Sequence, residues 1–123
     1  MTVLEKGLRG TAHYIVSEAS GYRSREQVLI ASGSGKLDAG SVLAKLTASQ
    51  KYAPFNPAGE DGSETAVAIL YEACDASDAD IRRTITARDT EVQAAVLVWS
   101  DTITDIQKTA ALATLATLGI VAR

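Results

Sequence analysis

Residues 51–73 read KYAPFNPAGEDGSETAVAILYEA, and this stretch decides what kind of fold the chain adopts. Its second half, TAVAILYEA, is a nearly continuous apolar run, which indicates a strand that is buried on both faces. The first half holds both prolines of the chain, and Pro54 marks KYAPF as an edge strand or a strand end. Between the halves, the Asp61-Gly62 pair predicts a turn with a left-handed residue. The acidic side chains of this loop would repel phosphate, so we interpret the loop as a bend.

Short strand-like segments lie on both sides of this stretch. QVLIASG and SVLAKLTAS each read as a strand, and IRRTITAR alternates apolar and polar residues, which indicates a strand with one wet face. VQAAVLVW is either a further strand or a short helix, because propensity does not decide between the two. Short strands with Gly and Asp between them predict a mainly β (α+β) fold with a small compact antiparallel β body.

One helix is predicted near the C-terminus. Thr104 is placed to cap it, and Gln107 follows at the spacing of a capping box. Asp105 in the first turn suits the helix dipole, and Gly119 is well placed just beyond the last turn. The residues after Gly119, IVAR, are apolar and partly β-branched, which indicates a short terminal strand.

The N-terminal residues differ from the rest of the chain. They contain one short apolar patch, residues 14–16, between small and charged residues, and they show neither the helical nor the strand period. We interpret residues 1–24 as a flexible N-terminal arm, poorly ordered in isolation, and residues 25–123 as a β domain. The alternative is that the patch forms a first strand packed on the body.

The totals exclude several classes of function. The chain has 123 residues and a net charge of −3, and its twelve Lys and Arg are scattered, so we expect no binding to nucleic acid. The longest apolar-rich run is interrupted by threonines, so we expect no membrane span. The first ten residues lack the apolar core of a signal peptide, which favours synthesis in a cytoplasm.

Two motifs that could carry chemistry fail on their spacing, and two single residues lack partners at motif spacing. SGSGK is not a phosphate loop, since Ile30 and Leu37 stand where a Gly and a hydroxyl residue are needed, and we predict a hairpin turn. Residues 75–80, DASDAD, lack the Gly of a calcium loop and are read as a turn. His13 is the only histidine, and Cys74 is interpreted as a small, partly buried side chain. We therefore predict no catalytic, cofactor-binding or metal-binding residues, no cofactor, and no enzyme activity.

An ordered series of segments resembles a known family. SREQVLIASG, LDAGSVLAKLT, KYAPFNPAGEDGSETAVAILYE, ARDTEV, VLVW and LATLGIVAR follow one another as in the bacteriophage head decoration proteins, the lambda-type trimeric capsid stabilisers. The resemblance covers about residues 8–123 and is greater to the longer, prophage-type members than to the lambda protein itself.

The resemblance implies a structural role in the virion. Such proteins form homotrimers that bind the outer surface of the phage head, at three-fold and quasi-three-fold sites, after the shell has expanded. There they hold neighbouring major capsid protein subunits together against internal DNA pressure. A generic non-enzymatic β-rich binding module is the alternative, and it would need a concave surface lined with aromatic residues.

The resemblance also points to residues that make these contacts. The arm, about residues 8–25, would become ordered on the shell by adding to capsid protein strands. Its capsid-binding candidates are Tyr14, Ile15, Val16, Ser17 and Glu18. Deletion of residues 1–20 is therefore expected to leave a folded trimer that no longer binds expanded shells.

The trimer interface is assigned from residue type. Ala110 and Ala113 on the predicted helix would permit a close approach of two backbones, and Trp99 is a typical interface anchor. Trp99 could equally fill the core, so both roles stay open for this residue.

Overall fold

The computed structural model describes residues 11–19 and 23–123, and it is mostly β with one helix near the C-terminus, as predicted. Residues 1–10 and 20–22, which carry part of the predicted arm, lie outside the described residues. The strands are β1 (Ile15–Glu18), β2 (Arg25–Ile30), β3 (Gly35–Leu37), β4 (Val42–Lys45), β5 (Tyr52–Pro54), β6 (Ala66–Leu70), β7 (Cys74–Ala76), β8 (Ile81–Thr86), β9 (Thr90–Val92) and β10 (Ile120–Ala122), and the helix is α1 (Asp105–Thr117).

Five of these strands close into a barrel, in the order β2-β5-β4-β6-β8. All neighbours are antiparallel except β2 and β5, which meet in parallel at a single pair, Ile30 and Tyr52. The longest pairing joins β2 to β8 over six residues each. The barrel is therefore closed between β2 and β5 at one point only, the end of β2 at Ile30.

Two apolar clusters lie on either side of β4 and β6. Leu43 and Leu70 face the barrel interior, while Val42 and Ile69 face a second cluster that the helix covers. All four side chains are buried. The apolar run of β6 is therefore buried on both faces, as the sequence predicted.

The helix follows its sequence signals closely. The Thr104 hydroxyl accepts from the Gln107 amide N–H at 3.2 Å, and the Gln107 side chain accepts from the Thr104 N–H at 2.9 Å, which completes the capping box. Gly119 follows the helix with φ +86°, and an added Cβ would lie 3.0 Å from the Asp89 backbone nitrogen. Ala111 and Leu115 face the core, and the terminal strand β10 follows as predicted.

A separate three-stranded sheet has the order β1-β9-β10. β1 runs antiparallel to β9, and β10 runs parallel to it. The described part of the predicted arm is thus a strand packed on the body, which is the alternative that the sequence left open. Its physical cause is Tyr14, whose fully buried side chain anchors the start of β1 in the second cluster.

The sequence predicted turns at SGSGK and at residues 75–80, but the structure has a small two-stranded sheet there. Residues of SGSGK and DASDAD contribute to β3 and β7, which pair antiparallel with each other. Since β2 pairs with β5 and β8 rather than with β3, the segment between β2 and β3 is a turn but not a hairpin. The pairing of β3 with β7 depends on residues far apart in the chain, which local turn signals cannot reveal.

The segment VQAAVLVW is neither one strand nor one α-helix. β9 ends at Val92, a single 3₁₀ turn spans Ala94–Val96, and Val98 forms an isolated bridge with Ser41. Trp99 therefore follows a bridge rather than lying in a regular strand.

The loop between β5 and β6 is a bend, as predicted. Gly62 has φ +106°, and an added Cβ there would meet the Lys45 carbonyl oxygen at 2.4 Å. Phe55 at the start of the loop is buried in the second cluster, which the helix covers. Tyr52 packs against the cluster inside the barrel, so both are packing residues.

Candidate functional site

Cys74 and His13, the two residue types most often used for metal binding or nucleophilic catalysis, are both in contact with other residues. Within 11–19 and 23–123, no group of three or more His, Cys, Asp and Glu side chains could hold a metal ion. Burial raises the pKa of the Cys74 thiol, which disfavours the reactive thiolate. The His13 ring packs edge-on against Tyr14, with 5.8 Å between the ring centroids. No helix in the described part of the chain has both the length and the apolar character needed to cross a bilayer.

The segment that leads into β1 is fastened to the barrel. The Ala12 N–H donates to the Tyr71 carbonyl at 2.8 Å. Tyr14 is fully buried, and its hydroxyl shares a 2.5 Å hydrogen bond with the Thr86 hydroxyl at the end of β8. Because burial disfavours the phenolate, the pKa of Tyr14 is raised. Of the five capsid-binding candidates, Tyr14 is therefore a core residue in this structure.

At the other end of β1, the Glu18 side chain contacts the first residue of β2 and the residue before it. Arg25 donates to both of its carboxylate oxygens, at 3.1 and 2.7 Å, and the Ser24 hydroxyl donates at 2.5 Å. The Arg25 guanidinium also lies over the Tyr71 ring, 4.3 Å from its centroid. The hydrogen bonds from Arg25 lower the pKa of the Glu18 carboxyl. We call Glu18, Ser24 and Arg25 the clasp.

The three-stranded sheet brings both ends of the described chain to one side. The first residue of β1, Ile15, and the last residue of β10, Ala122, both lie beside Val92 of β9. Val16 of β1 is 50% exposed and Ser17 is exposed, so these are the members of the predicted contact set that a partner can reach.

On the outer face of this sheet, a carboxylate joins the two edge strands. Glu91 accepts from the Ser17 hydroxyl at 3.0 Å and from the Arg123 guanidinium at 2.5 Å. The hydrogen bond from Arg123 is the main cause of the lowered pKa of Glu91. These contacts link β1 to Arg123, the residue that follows β10, across β9.

The helix presents a second surface. Ala110 and Ala113, the predicted interface alanines, are both exposed on the face opposite the core. Ile106 lies on the same face one turn earlier, and 82% of it is exposed, more than any other large apolar residue described. The sequence assigned Ile106 no role, because residue spacing along a helix does not tell which face is outward.

Trp99 is neither fully buried nor fully exposed. It packs against the second cluster, and its ring meets Phe55 edge-on, with 6.1 Å between the centroids. It also lines an open, mainly apolar cleft of about 270 Å³. The cleft walls come from segments distant in sequence, namely Ser34, Lys36, Leu37 and Asp38, then Ser41 and Val42, then Pro54 and Phe55, and last Val98, Trp99, Ser100 and Ile103. No pattern of neighbouring residues in the sequence could therefore have predicted this cleft.

The family model for the bacteriophage lambda head decoration protein D matches residues 3–120. A search of curated proteins found no match. The family consists of structural proteins that decorate the phage capsid, so its members are located in the virion. Because the match spans nearly the whole sequence, the chain belongs to the family of the bacteriophage lambda head decoration protein D.

Proposed function

We propose that this protein binds the outside of the expanded phage head as a homotrimer, at three-fold and quasi-three-fold sites, and stabilises the shell against internal DNA pressure. The observation that carries the proposal is the family match over residues 3–120. Its direct partner is the major capsid protein, with no nucleic acid and no membrane involved. The protein is made in the host cytoplasm and ends on the outer surface of the virion.

The docking arm is the N-terminal part of the chain. β1 lies at the edge of its sheet, since β9 is its only neighbour among the described strands. We propose that residues 1–10 add to a strand of the major capsid protein, since backbone hydrogen bonds supply affinity with few demands on side chains. Three arms on one trimer would convert three weak contacts into a strong attachment.

The exposure of the β1 residues supports a smaller set of contact residues than the sequence predicted. β1 pairs with β9 along one edge only, and among the described residues no strand pairs with its other edge. Val16 and Ser17 are exposed there, whereas Tyr14 is sequestered in the core and Glu18 is held by the clasp. We propose that Val16 and Ser17 extend the arm's contact, and that Tyr14 and Glu18 hold it in position.

The test is a truncation that spares the core. Deletion of residues 1–20 removes Tyr14, so a loss of shell binding could follow from unfolding alone. Deletion of residues 1–10 keeps the bond from Ala12 to Tyr71 and the whole of β1. We expect this shorter variant to fold as the full chain does and to lose co-sedimentation with expanded heads. Undiminished co-sedimentation would refute the arm assignment, and binding to unexpanded heads would refute the dependence on expansion.

The trimer itself is tested by sedimentation. We propose that the exposed helix face with Ala110 and Ala113, together with Trp99, lies between copies. Analytical ultracentrifugation over a wide concentration range is expected to show a species of three times the 12.9 kDa chain mass. If the protein were a monomer at every concentration and still bound shells, the decoration role would be supported, and the proposal that the trimer forms before binding would be wrong.

A further inference from the structure

One pair of neighbouring residues in the chain has the composition of a chemically labile site. Asp61 is the only Asp that is followed by Gly, and the only Asn, Asn56, precedes a proline, which has no backbone N–H. In an Asp–Gly pair no side chain hinders the glycine nitrogen, and glycine adopts backbone angles that other residues rarely reach. Of the Asp and Asn residues in this sequence, Asp61 is therefore the one most prone to rearrange to isoaspartate.

The rearrangement needs only these two residues and water. The Gly62 nitrogen attacks Cγ of the protonated Asp61 carboxyl and gives up its proton, and the carboxyl hydroxyl leaves as water, which yields a cyclic imide. Water then adds to the main-chain carbonyl of the imide and breaks the bond from that carbon to the nitrogen. The product, isoaspartate, contains the same atoms, but the chain now runs through Cγ and its backbone is longer by a carbon atom.

Both reacting groups have other partners in the structure. The Gly62 N–H donates to Glu64 Oε1 at 2.9 Å. Asp61 Oδ1 accepts from the Ser63 N–H at 3.2 Å and from the Ser63 hydroxyl at 2.5 Å. The hydrogen bond from that hydroxyl is the main cause of the lowered pKa of Asp61, so less of the carboxyl is in the protonated form that reacts. The nitrogen and the carboxyl are thus directed to different neighbours rather than to each other.

The backbone around the pair is also held. The Asp61 carbonyl accepts from the Thr47 N–H at 2.9 Å, and the Asn56 N–H donates to the Ser63 carbonyl at 2.8 Å. Gly62 has φ +106°, and an added Cβ there would lie 2.7 Å from the Thr47 backbone nitrogen. To form the imide, the Asp61 main chain must turn until the Gly62 nitrogen meets Cγ, which the bond to Thr47 opposes. A backbone longer by a carbon atom would not fit this close packing.

We propose that the fold protects the Asp61–Gly62 pair from isoaspartate formation, and that Glu64 and Ser63 are the side chains that provide this protection. Conversion then proceeds only in molecules in which the bend has opened, so its rate is set by local opening. The inference does not depend on the proposed function. It has a consequence for any copy in the virion, where the members of this family are located, because no new synthesis replaces a damaged copy there.

The first test compares the folded wild-type protein with the same chain unfolded in guanidinium chloride, at one temperature and neutral pH. Isoaspartate is counted by enzymatic methylation of its carboxyl and located by mass spectrometry of the tryptic peptide that follows Lys51. The unfolded chain is expected to convert at least about tenfold faster, because opening of the bend breaks several hydrogen bonds, and Asp61 is expected to convert ahead of every other Asp. Equal rates in the two states, or another Asp converting first in the unfolded chain, would overturn the proposal.

Substitutions test the two protecting side chains in the folded protein. Glu64→Ala leaves the Gly62 N–H without its acceptor and should raise the rate by roughly three- to tenfold, the effect of one hydrogen bond. Glu64→Gln keeps an oxygen that can accept, so its rate should stay close to that of the wild type. Glu60→Ala is the matched control, since it removes the same charge from the same exposed loop, and it should not change the rate. Ser63→Ala should raise the rate as Glu64→Ala does, because Asp61 loses the bond from the hydroxyl.

Three results with these variants would contradict the proposal. An unchanged rate in Glu64→Ala would show that Glu64 gives no protection. A slower rate would show that its carboxylate acts as a base on the Gly62 N–H. Thr104→Ala, which weakens the helix cap and leaves the bend intact, controls for global stability. A rise in its rate equal to that of Glu64→Ala would show that global unfolding, and not the bend, controls the conversion.

Discussion

Tyr14 decides whether the start of the chain is a detachable arm or a part of the body. Its side chain is fully buried, so Tyr14→Ala should leave a cavity and cost about 3–5 kcal/mol of unfolding free energy, as other large aromatic truncations do. Tyr14→Phe keeps the ring but leaves the buried Thr86 hydroxyl without its partner, at a cost of about 1–3 kcal/mol. For a domain of this size, each kcal/mol corresponds to roughly 3–5 °C in melting temperature.

The assay is urea unfolding, with thermal melting as a second measurement. All variants are compared at one protein concentration, because association would shift the apparent stability. Thr86→Val alone should be destabilising, since it leaves the Tyr14 hydroxyl buried without a partner. The double variant Tyr14→Phe/Thr86→Val replaces both partners with apolar groups, so its cost should be smaller than the sum of the two single costs.

The control lies in the same strand. Val16→Ala changes a half-exposed side chain and should stay within about 0.5 kcal/mol of the wild type. If Tyr14→Ala also cost less than about 1 kcal/mol, Tyr14 would not be part of the folded core. The segment would then be an arm up to residue 18, and the reasoning from burial would be refuted.

Three further predictions concern single contacts. The hydrogen bonds from Arg25 lower the pKa of Glu18, so the clasp stabilises the fold fully above the unfolded carboxyl pKa of about 4.3. This contribution is lost as the pH falls through the pKa that Glu18 has in the folded protein. Between pH 7 and pH 3, the unfolding free energy should therefore fall less for Glu18→Gln than for the wild type. Gly62→Ala should destabilise the protein much more than Gly33→Ala, because both glycines have a positive φ but, of the two, only Gly62 has backbone atoms where the added Cβ would lie. Equal melting temperatures for the two variants would contradict this. Thr104→Ala should cost about 1 kcal/mol by urea unfolding through loss of the helix cap, and an unchanged midpoint would show that tertiary packing alone sets the helix start.

Signals that act over a few residues were enough to predict several elements. Thr104, Gln107 and Gly119 defined the helix, because caps depend on hydrogen bonds and backbone angles within one turn. The apolar run of β6 predicted burial on both faces, and Asp61-Gly62 predicted the bend, for the same local reason. The ordered series of segments was sufficient for the family.

Strand partners and exposed surfaces required the tertiary structure. β3 and β7 are three residues each, too short to show a period, and they become strands only by pairing with each other. Of the predicted contact residues, Ala110, Ala113 and Val16 are exposed, and their roles stay predictions. Ile106 received no role because its outward direction depends on how the helix packs.

By itself the sequence determined the helix with its caps, the doubly buried central strand, the β-rich class and the family of this protein. Only the tertiary structure decided that Tyr14 anchors β1 in the core, that the barrel closes, and that a cleft forms beside Trp99. The physical reason is the separation along the chain between the residues that interact. Caps and turns are fixed by neighbours in the chain, but the Tyr14 hydroxyl finds Thr86 at a separation of 72 residues. No local pattern of residues encodes such a contact.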